Sequence, residues 1–232
     1  MAQPPNITDT FLREVDENLR RDRLADFGKK YGGWMVGAVL LLLAASGGWI
    51  YWQHRQEARA QAQVEQISDI YQRLGANNRK GVSEQLDALS KDGSNAVRAS
   101  ALVTRAVMAI EDNDLKLATE KFHQVASDDK LPKPYRDLAL IRQTALEFDK
   151  LKPEEVVARL DPLAKPGNPW FGTAGEMTAA AKIKQGKKQE AAQLFAAIAK
   201  DKTVPDAIRA RSVQLAASLG VDVSAALEAP AQ

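Results

Sequence analysis

The chain has no cysteine among its 232 residues, which excludes disulfides, thiolate metal sites and cysteine nucleophiles. Its two histidines, His54 and His123, are too few for a histidine-rich metal centre. Aromatic residues make up only 6% of the chain, and the β-branched residues form no alternating runs, which argues against an all-β fold. An excess of one charge is also missing. Lys plus Arg is 32 and Asp plus Glu is 30, so the basic surplus of a nucleic-acid-binding domain is absent. The sequence contains no Walker loop, dinucleotide-binding glycine motif, His-Glu-x-x-His or nucleophile elbow. The expectation is a non-enzyme with no cofactor, no metal, no nucleic acid and no small-molecule substrate.

One long hydrophobic run is present. Tyr31 to Gln53 carries no charged side chain over about 23 positions, which as a helix spans about 34 Å and matches a bilayer core of about 30 Å. Trp34 stands near one end and Trp49, Tyr51 and Trp52 at the other, as in the aromatic belts of membrane helices. Arg13, Arg20, Arg21, Arg23, Lys29 and Lys30 precede the run, whereas only Arg55 and Arg59 follow closely. That asymmetry predicts a single-pass protein with a cytoplasmic N-terminus. Ala44-Ala45-Ser46 resembles a signal-peptide cleavage site, but the long N-region and the continuing run to Trp52 favour an uncleaved anchor. Gly33, Gly37, Ala44 and Gly48 share one helical face and form a candidate contact strip for another membrane helix. Gly47-Gly48 is the expected place for a bend. Upstream, Phe11, Val15 and Leu19 recur at helical spacing, a short amphipathic helix within residues 1–30 that is suited to membrane lipid.

Beyond the run, an internal repeat governs the chain. Leu86, Phe122, Leu160 and Phe195 are separated by 36, 38 and 35 residues. Val82, Ala118, Val156 and Ala191 stand four residues before them, and Leu89, Val125, Leu163 and Ile198 three after. A second apolar stripe precedes each marker by twelve residues, at Leu74, Ile110, Phe148 and Ile183. It continues upstream through Ile67-Ile70-Tyr71, Val103-Ala106-Val107, Ile141-Thr144-Ala145 and Glu176-Ala179-Ala180. Of these 28 positions 26 are apolar, where the 45% composition would give about 13, so each block is two amphipathic helices. Turn residues fall within pairs at 75–78, 112–114, 152–153 and 186–188, and between pairs at 92–95, 132–134, 166–169 and Pro205. A last helix, Asp206 to Leu219, covers the end of the stack. The predicted fold is all-α: one N-terminal transmembrane helix, about four helix pairs and a C-terminal capping helix.

Stacked helix pairs of this length resemble tetratricopeptide repeats. Gly186-Lys187-Lys188-Gln189-Glu190-Ala191 with Phe195 looks like that family's entry into its second helix, and Ala118, Phe122 and Pro132 match in part. The first helices lack the family's Trp and Gly signature residues. The layout, with its Gly48 to Gln53 aromatic exit, is also similar to the YfgM-type ancillary subunit family of the Sec translocon. That resemblance implies residues 1–30 in the cytoplasm, a membrane helix over 31–53, a periplasmic repeat domain over 54–220 and a disordered tail over 221–232. It also implies a bacterial inner-membrane protein that links the translocon to periplasmic chaperones or secretory client proteins. The rival classes are a scaffold in envelope biogenesis or cell division, and an envelope-stress regulator acting through its N-terminal helix.

Repeat solenoids act through an extended concave surface. With the stripes as packing core, the inward-facing neighbours on the first helices include Gln72, Met108, Arg142, Leu146 and Met177. These could form a groove for an apolar peptide, because methionine repacks easily. Alternatively Met108, Leu146 and Met177 complete the core between repeats. Trp170-Phe171 either marks an exposed interface or folds back on the last repeat.

Overall fold

The computed structural model describes the backbone of residues 7–223, and side chains from Gly33 onward except 35, 36, 39, 56, 59 and 60. Among the described residues there are nine helices and no strand. They are α1 (Ile7–Gly75), α2 (Val82–Asp92), α3 (Asn95–Glu111), α4 (Leu115–Ser127), α5 (Lys133–Glu147), α6 (Pro153–Leu160), α7 (Phe171–Lys184), α8 (Lys188–Lys200) and α9 (Asp206–Ser218). Two compact units are present, Met1–Arg59 and Ala60–Gln232.

In the first unit, Leu40 to Leu43, Trp49, Ile50, Tyr51 and Trp52 are all exposed, Leu41 to 73%. The Arg55 guanidinium lies 5.9 Å from the Tyr51 ring centre, a cation–π contact at the end of the apolar run. The helix passes through Gly47-Gly48 without a break, where the sequence led us to expect a bend. Gly33, Gly37, Ala44 and Gly48 are exposed, and a methyl group added at any of the three glycines would meet no atom within 4 Å. Among the described residues no helix is long and apolar enough to cross a membrane. Residues 31, 32, 35, 36 and 39 of the expected span lie outside the residues whose side chains are described, as do Phe11, Val15 and Leu19.

The second unit is the predicted stack. The end of α1 pairs with α2, α3 with α4, α5 with α6 and α7 with α8, and α9 closes the series. Local chemistry fixes these ends. Asn77 (φ 57°) and Asn113 (φ 60°) take the left-handed conformation that terminates α1 and α3, a role asparagine tolerates better than other non-glycine residues. Gly186 (φ 77°) does the same after α7. The Asp114 carboxylate caps α4 by accepting from the Leu117 N–H at 3.0 Å. Pro134 and Pro153 sit in the first turns of α5 and α6, where a missing N–H costs nothing.

All twelve stripe positions of the second helices are buried, none more than 7% exposed, including Leu163, which lies just past the end of α6. They join the first helices in four apolar clusters that follow the stack in order. The first holds Ile67, Ile70 and Leu86; the next, Ala106 and Phe122. The third holds Ile141 and Leu160; the last, Phe171 and Phe195. Full burial of one such Leu or Phe is worth about 1.5–3 kcal/mol.

The first-helix stripe needs a correction. Its third position is not core: Tyr71, Val107 and Ala145 are exposed and Ala180 is half-buried. Consecutive residues on a helix point about 100° apart, so a seam that buries Ile70, Ala106, Thr144 and Ala179 turns the next side chain outward. The two polar residues in the stripe are also accounted for. Thr144 donates its hydroxyl to the Leu140 carbonyl at 2.7 Å, and Glu176 accepts from Arg211.

Helix α7 is closely packed. It contributes to the last two clusters, and none of its residues from Phe171 to Ile183 is fully exposed. A methyl group at Gly172 would lie 2.8 Å from Val204 Cγ1, and one at Gly175 would lie 2.8 Å from Ile198 Cδ1. The packed domain also extends past the tail boundary expected at 221, because Val223 is buried and Val221 packs on the last cluster. Residues 224–232 lie outside the described residues.

Candidate functional site

The uncovered third position gives the first helices of the pairs a shared surface row: Tyr71 on α1, Val107 on α3, Ala145 on α5 and Ala180 on α7. Tyr71 and Val107 keep 47% and 43% of their surface exposed. The row inherits its regularity from the repeat, since its separations of 36, 38 and 35 residues are those of the core markers.

Tyr71 is held in place by hydroxyl chemistry. Its phenol oxygen lies 2.6 Å from Ser100 Oγ and 3.3 Å from Thr104 Oγ1, while Thr104 donates its one hydroxyl proton to the Ser100 carbonyl at 2.8 Å. The ring is thereby pinned to α3 while one face stays open to solvent. Beside it lies a cleft of about 300 Å³ lined by Leu74, Asn77, Arg79, Thr104, Val107, Met108 and Glu111. Its lining mixes apolar Leu74, Val107 and Met108 with polar Asn77, Arg79, Thr104 and Glu111. The Arg79 guanidinium is anchored there by Asp112 at 3.0 Å, by Glu111 at 3.7 Å and by the Met108 carbonyl at 3.3 Å.

The five groove residues expected from the sequence do not form one surface. Met108 is 3% exposed and belongs to the first core cluster, so it is a core residue that also borders the cleft. Leu146 is half-buried against the second cluster and Met177 against the third. Gln72 and Arg142 are exposed. Met108, Leu146 and Gln72 fall one residue past the open row, which places the methionine and leucine toward the next seam. Arg142 lies on the open side. Phe171 is fully buried and Trp170 half-buried, so this aromatic pair folds back on the last two pairs. His123 is exposed on α4, and no group of three or more His, Asp or Glu able to hold a metal ion occurs among the described residues.

Ion pairs at the repeat period tie neighbouring pairs together. Arg211 donates to both carboxylate oxygens of Glu176, at 2.7 and 2.5 Å, a fork that holds the arginine more firmly protonated. Lys184 bonds Asp149 at 2.8 Å while its ammonium lies 4.5 Å from the Phe148 ring centre. Tyr71, Val107 and Arg79 were not recognisable from the sequence as surface groups, nor was Thr104 as the buried partner of Tyr71. For Tyr71 and Val107 the available signal was the column structure of the repeat: of two neighbouring columns about 100° apart on a helix with one buried seam, one turns toward solvent.

A family model for a tetratricopeptide repeat-like domain matches residues 26–217. The chain belongs to that family. No curated protein and no solved structure matches it. Tetratricopeptide repeat-like domains are protein-interaction scaffolds, and the stacked helix pairs of this one present an extended surface of the kind such solenoids use for binding.

Proposed function

We propose that this tetratricopeptide repeat-like protein is a membrane-anchored interaction module of protein export. The first helices of its pairs hold extended segments of secretory clients or of a periplasmic chaperone, and residues 31–53 fix it in the bacterial inner membrane beside the Sec translocon. The observation that carries the interaction role is the row Tyr71, Val107, Ala145 and Ala180, apolar in every pair and left uncovered by the core. The anchor is supported by the exposed Leu40 to Leu43 and the aromatic group Trp49 to Trp52, side chains whose favourable solvent is hydrocarbon and its interface. The excess of Lys and Arg before residue 31 supports a cytoplasmic N-terminus. The association with the translocon rests on the likeness in layout to YfgM-type proteins.

The mechanism is proximity. Tethering to the membrane that holds the channel raises the effective concentration of the repeat domain at emerging chains, typically to millimolar for short tethers, so weak contacts suffice. The test is photo-crosslinking in intact cells from Leu41 and from Val107. The expected result is alkali-resistant membrane association, adducts with translocon subunits from Leu41, and adducts with secretory clients or chaperones from Val107. Adducts confined to a stable envelope-assembly complex would overturn the export role in favour of a scaffold. Release of the chain by alkaline carbonate would overturn the anchor.

A further inference from the structure

Three helices of the stack carry arginine as their fourth residue: Arg98 on α3, Arg136 on α5 and Arg209 on α9. Two of them make the same bond. Arg98 Nε donates to the Ser90 carbonyl, eight residues upstream, and Arg209 Nε to the Ala199 carbonyl, ten upstream, both at 3.2 Å. Those carbonyls lie in the last turns of α2 and α8, beyond the reach of an intrahelical donor. Each arginine therefore ties its helix to the end of the helix before it. Arg136 is the exception. Its Nε is buried with no partner, and its guanidinium makes no hydrogen bond or ion pair among the described residues. Arg105 Nε is also unbonded, but it faces the Asp87 carboxylate at 3.7 Å.

The missing tie coincides with a change in how the pairs are joined. Tyr71 with Ser100 and Arg79 with Asp112 join the first pair to the second. Asp149 with Lys184 joins the third to the fourth, and Glu176 with Arg211 joins α7 to α9. Among the described residues no side-chain hydrogen bond or ion pair connects α3 or α4 with α5 or α6. There α5 meets the second pair through Tyr135, Ala139 and Leu146 of the second cluster. Hydrophobic contact has no direction, whereas a hydrogen bond weakens as its angle bends, so an apolar seam lets helices roll where polar ties hold them.

We infer that the repeat domain carries a pivot between α4 and α5, with Arg136 as its latch. Residues 60–127 form one block and residues 133–223 the other. In the arrangement described the latch is open, and a buried N–H without an acceptor is costly. A roll of α5 that carries Arg136 Nε to an unpaired carbonyl in the last turn of α4 closes it. The spacing of the other two arginines places that carbonyl at Ala126 or Ser127. The row of Tyr71, Val107, Ala145 and Ala180 crosses the pivot between Val107 and Ala145, so the latch sets how its two halves are arranged. The pivot belongs to the fold and stands whatever the domain binds.

The chain has no cysteine, so pairs of spin labels can be placed on the full-length protein in detergent without background. Glu84, Ala158 and Ala217 are exposed. Labels at Glu84→Cys and Ala158→Cys span the pivot, whereas labels at Ala158→Cys and Ala217→Cys lie on one block. Double electron–electron resonance is expected to give two distances for the spanning pair, separated by about 1–5 Å, the scale of helix shifts between packed arrangements. The second pair is expected to give one. Arg136→Met keeps the length of the side chain but cannot donate, and is expected to leave the spanning pair with a single distance and circular dichroism unchanged. A single narrow distance for the spanning pair in the parent chain would overturn the pivot. Two distances that persist in Arg136→Met would overturn the latch. Two distances for the pair within one block would overturn the placement of the pivot at α4 and α5.

Discussion

Gly175 separates two opposing physical terms at one position. Alanine in a helix interior is favoured over glycine by about 1 kcal/mol, so Gly175→Ala in α7 would stabilise an open helix by that amount. Here the added methyl would sit 2.8 Å from Ile198 Cδ1 and 3.3 Å from Ile198 Cγ1, and Ile198 is 0% exposed with no free volume to turn into. Overpacking of a filled core costs about 1–3 kcal/mol, so the net effect of Gly175→Ala is a loss of about 1 kcal/mol, within a range of about 0 to 2. Ile198→Val deletes the offending Cδ1 atom and by itself costs about 0.5–1.5 kcal/mol. In that background the steric cost largely disappears while the helical gain remains, and Gly175→Ala becomes stabilising by up to about 1 kcal/mol. The coupling energy between the two sites is therefore about 1–3 kcal/mol and favourable. Urea unfolding of the full-length chain and its three variants, followed by circular dichroism and by Trp170 at the start of α7, measures it. The reasoning is refuted if Gly175→Ala stabilises the parent chain, or if the two substitutions add to within about 0.5 kcal/mol.

Two further outcomes follow from the same structure. Met108→Ala removes a core side chain, 3% exposed, and should cost about 2–5 kcal/mol, whereas Gln72→Ala at an exposed site should stay within about 0.5 kcal/mol; equal effects in thermal unfolding would return Met108 to the surface. The Asp201 carboxyl is held below its ordinary value by Thr203, which donates its hydroxyl at 2.7 Å and its backbone N–H at 2.9 Å. A lowered pKa stabilises the fold above the ordinary carboxylate range near pH 4, and that contribution is lost as pH falls through the lowered value. The gap in melting temperature between the parent and Asp201→Asn should therefore be present at pH 6 and narrow as pH falls below the ordinary carboxylate range; a gap unchanged by acid refutes the role.

Much of the architecture follows from the amino-acid order because its determinants are local. The period of apolar residues in Leu86, Phe122, Leu160 and Phe195 defines second helices that are buried along one stripe. Asn77, Asn113, Gly186 and the prolines stop and start helices through their own backbone preferences, which need no tertiary partner. The helix pairs and their order were legible for that reason. What the order could not decide is which of two adjacent apolar columns the seam would bury. Ile70 and Tyr71, or Ala106 and Val107, are equally apolar as letters, and only the packing angle between neighbouring helices turns the first inward and leaves the second exposed. The same holds for charge. Arg79 and Arg142 are alike in sequence, but the fold brings Asp112 and Glu111 to the first and, among the described residues, no carboxylate to the second. Core follows from periodicity, which one helix carries alone; the site follows from what neighbouring helices cover, neutralise or leave open, and that exists only once they are stacked.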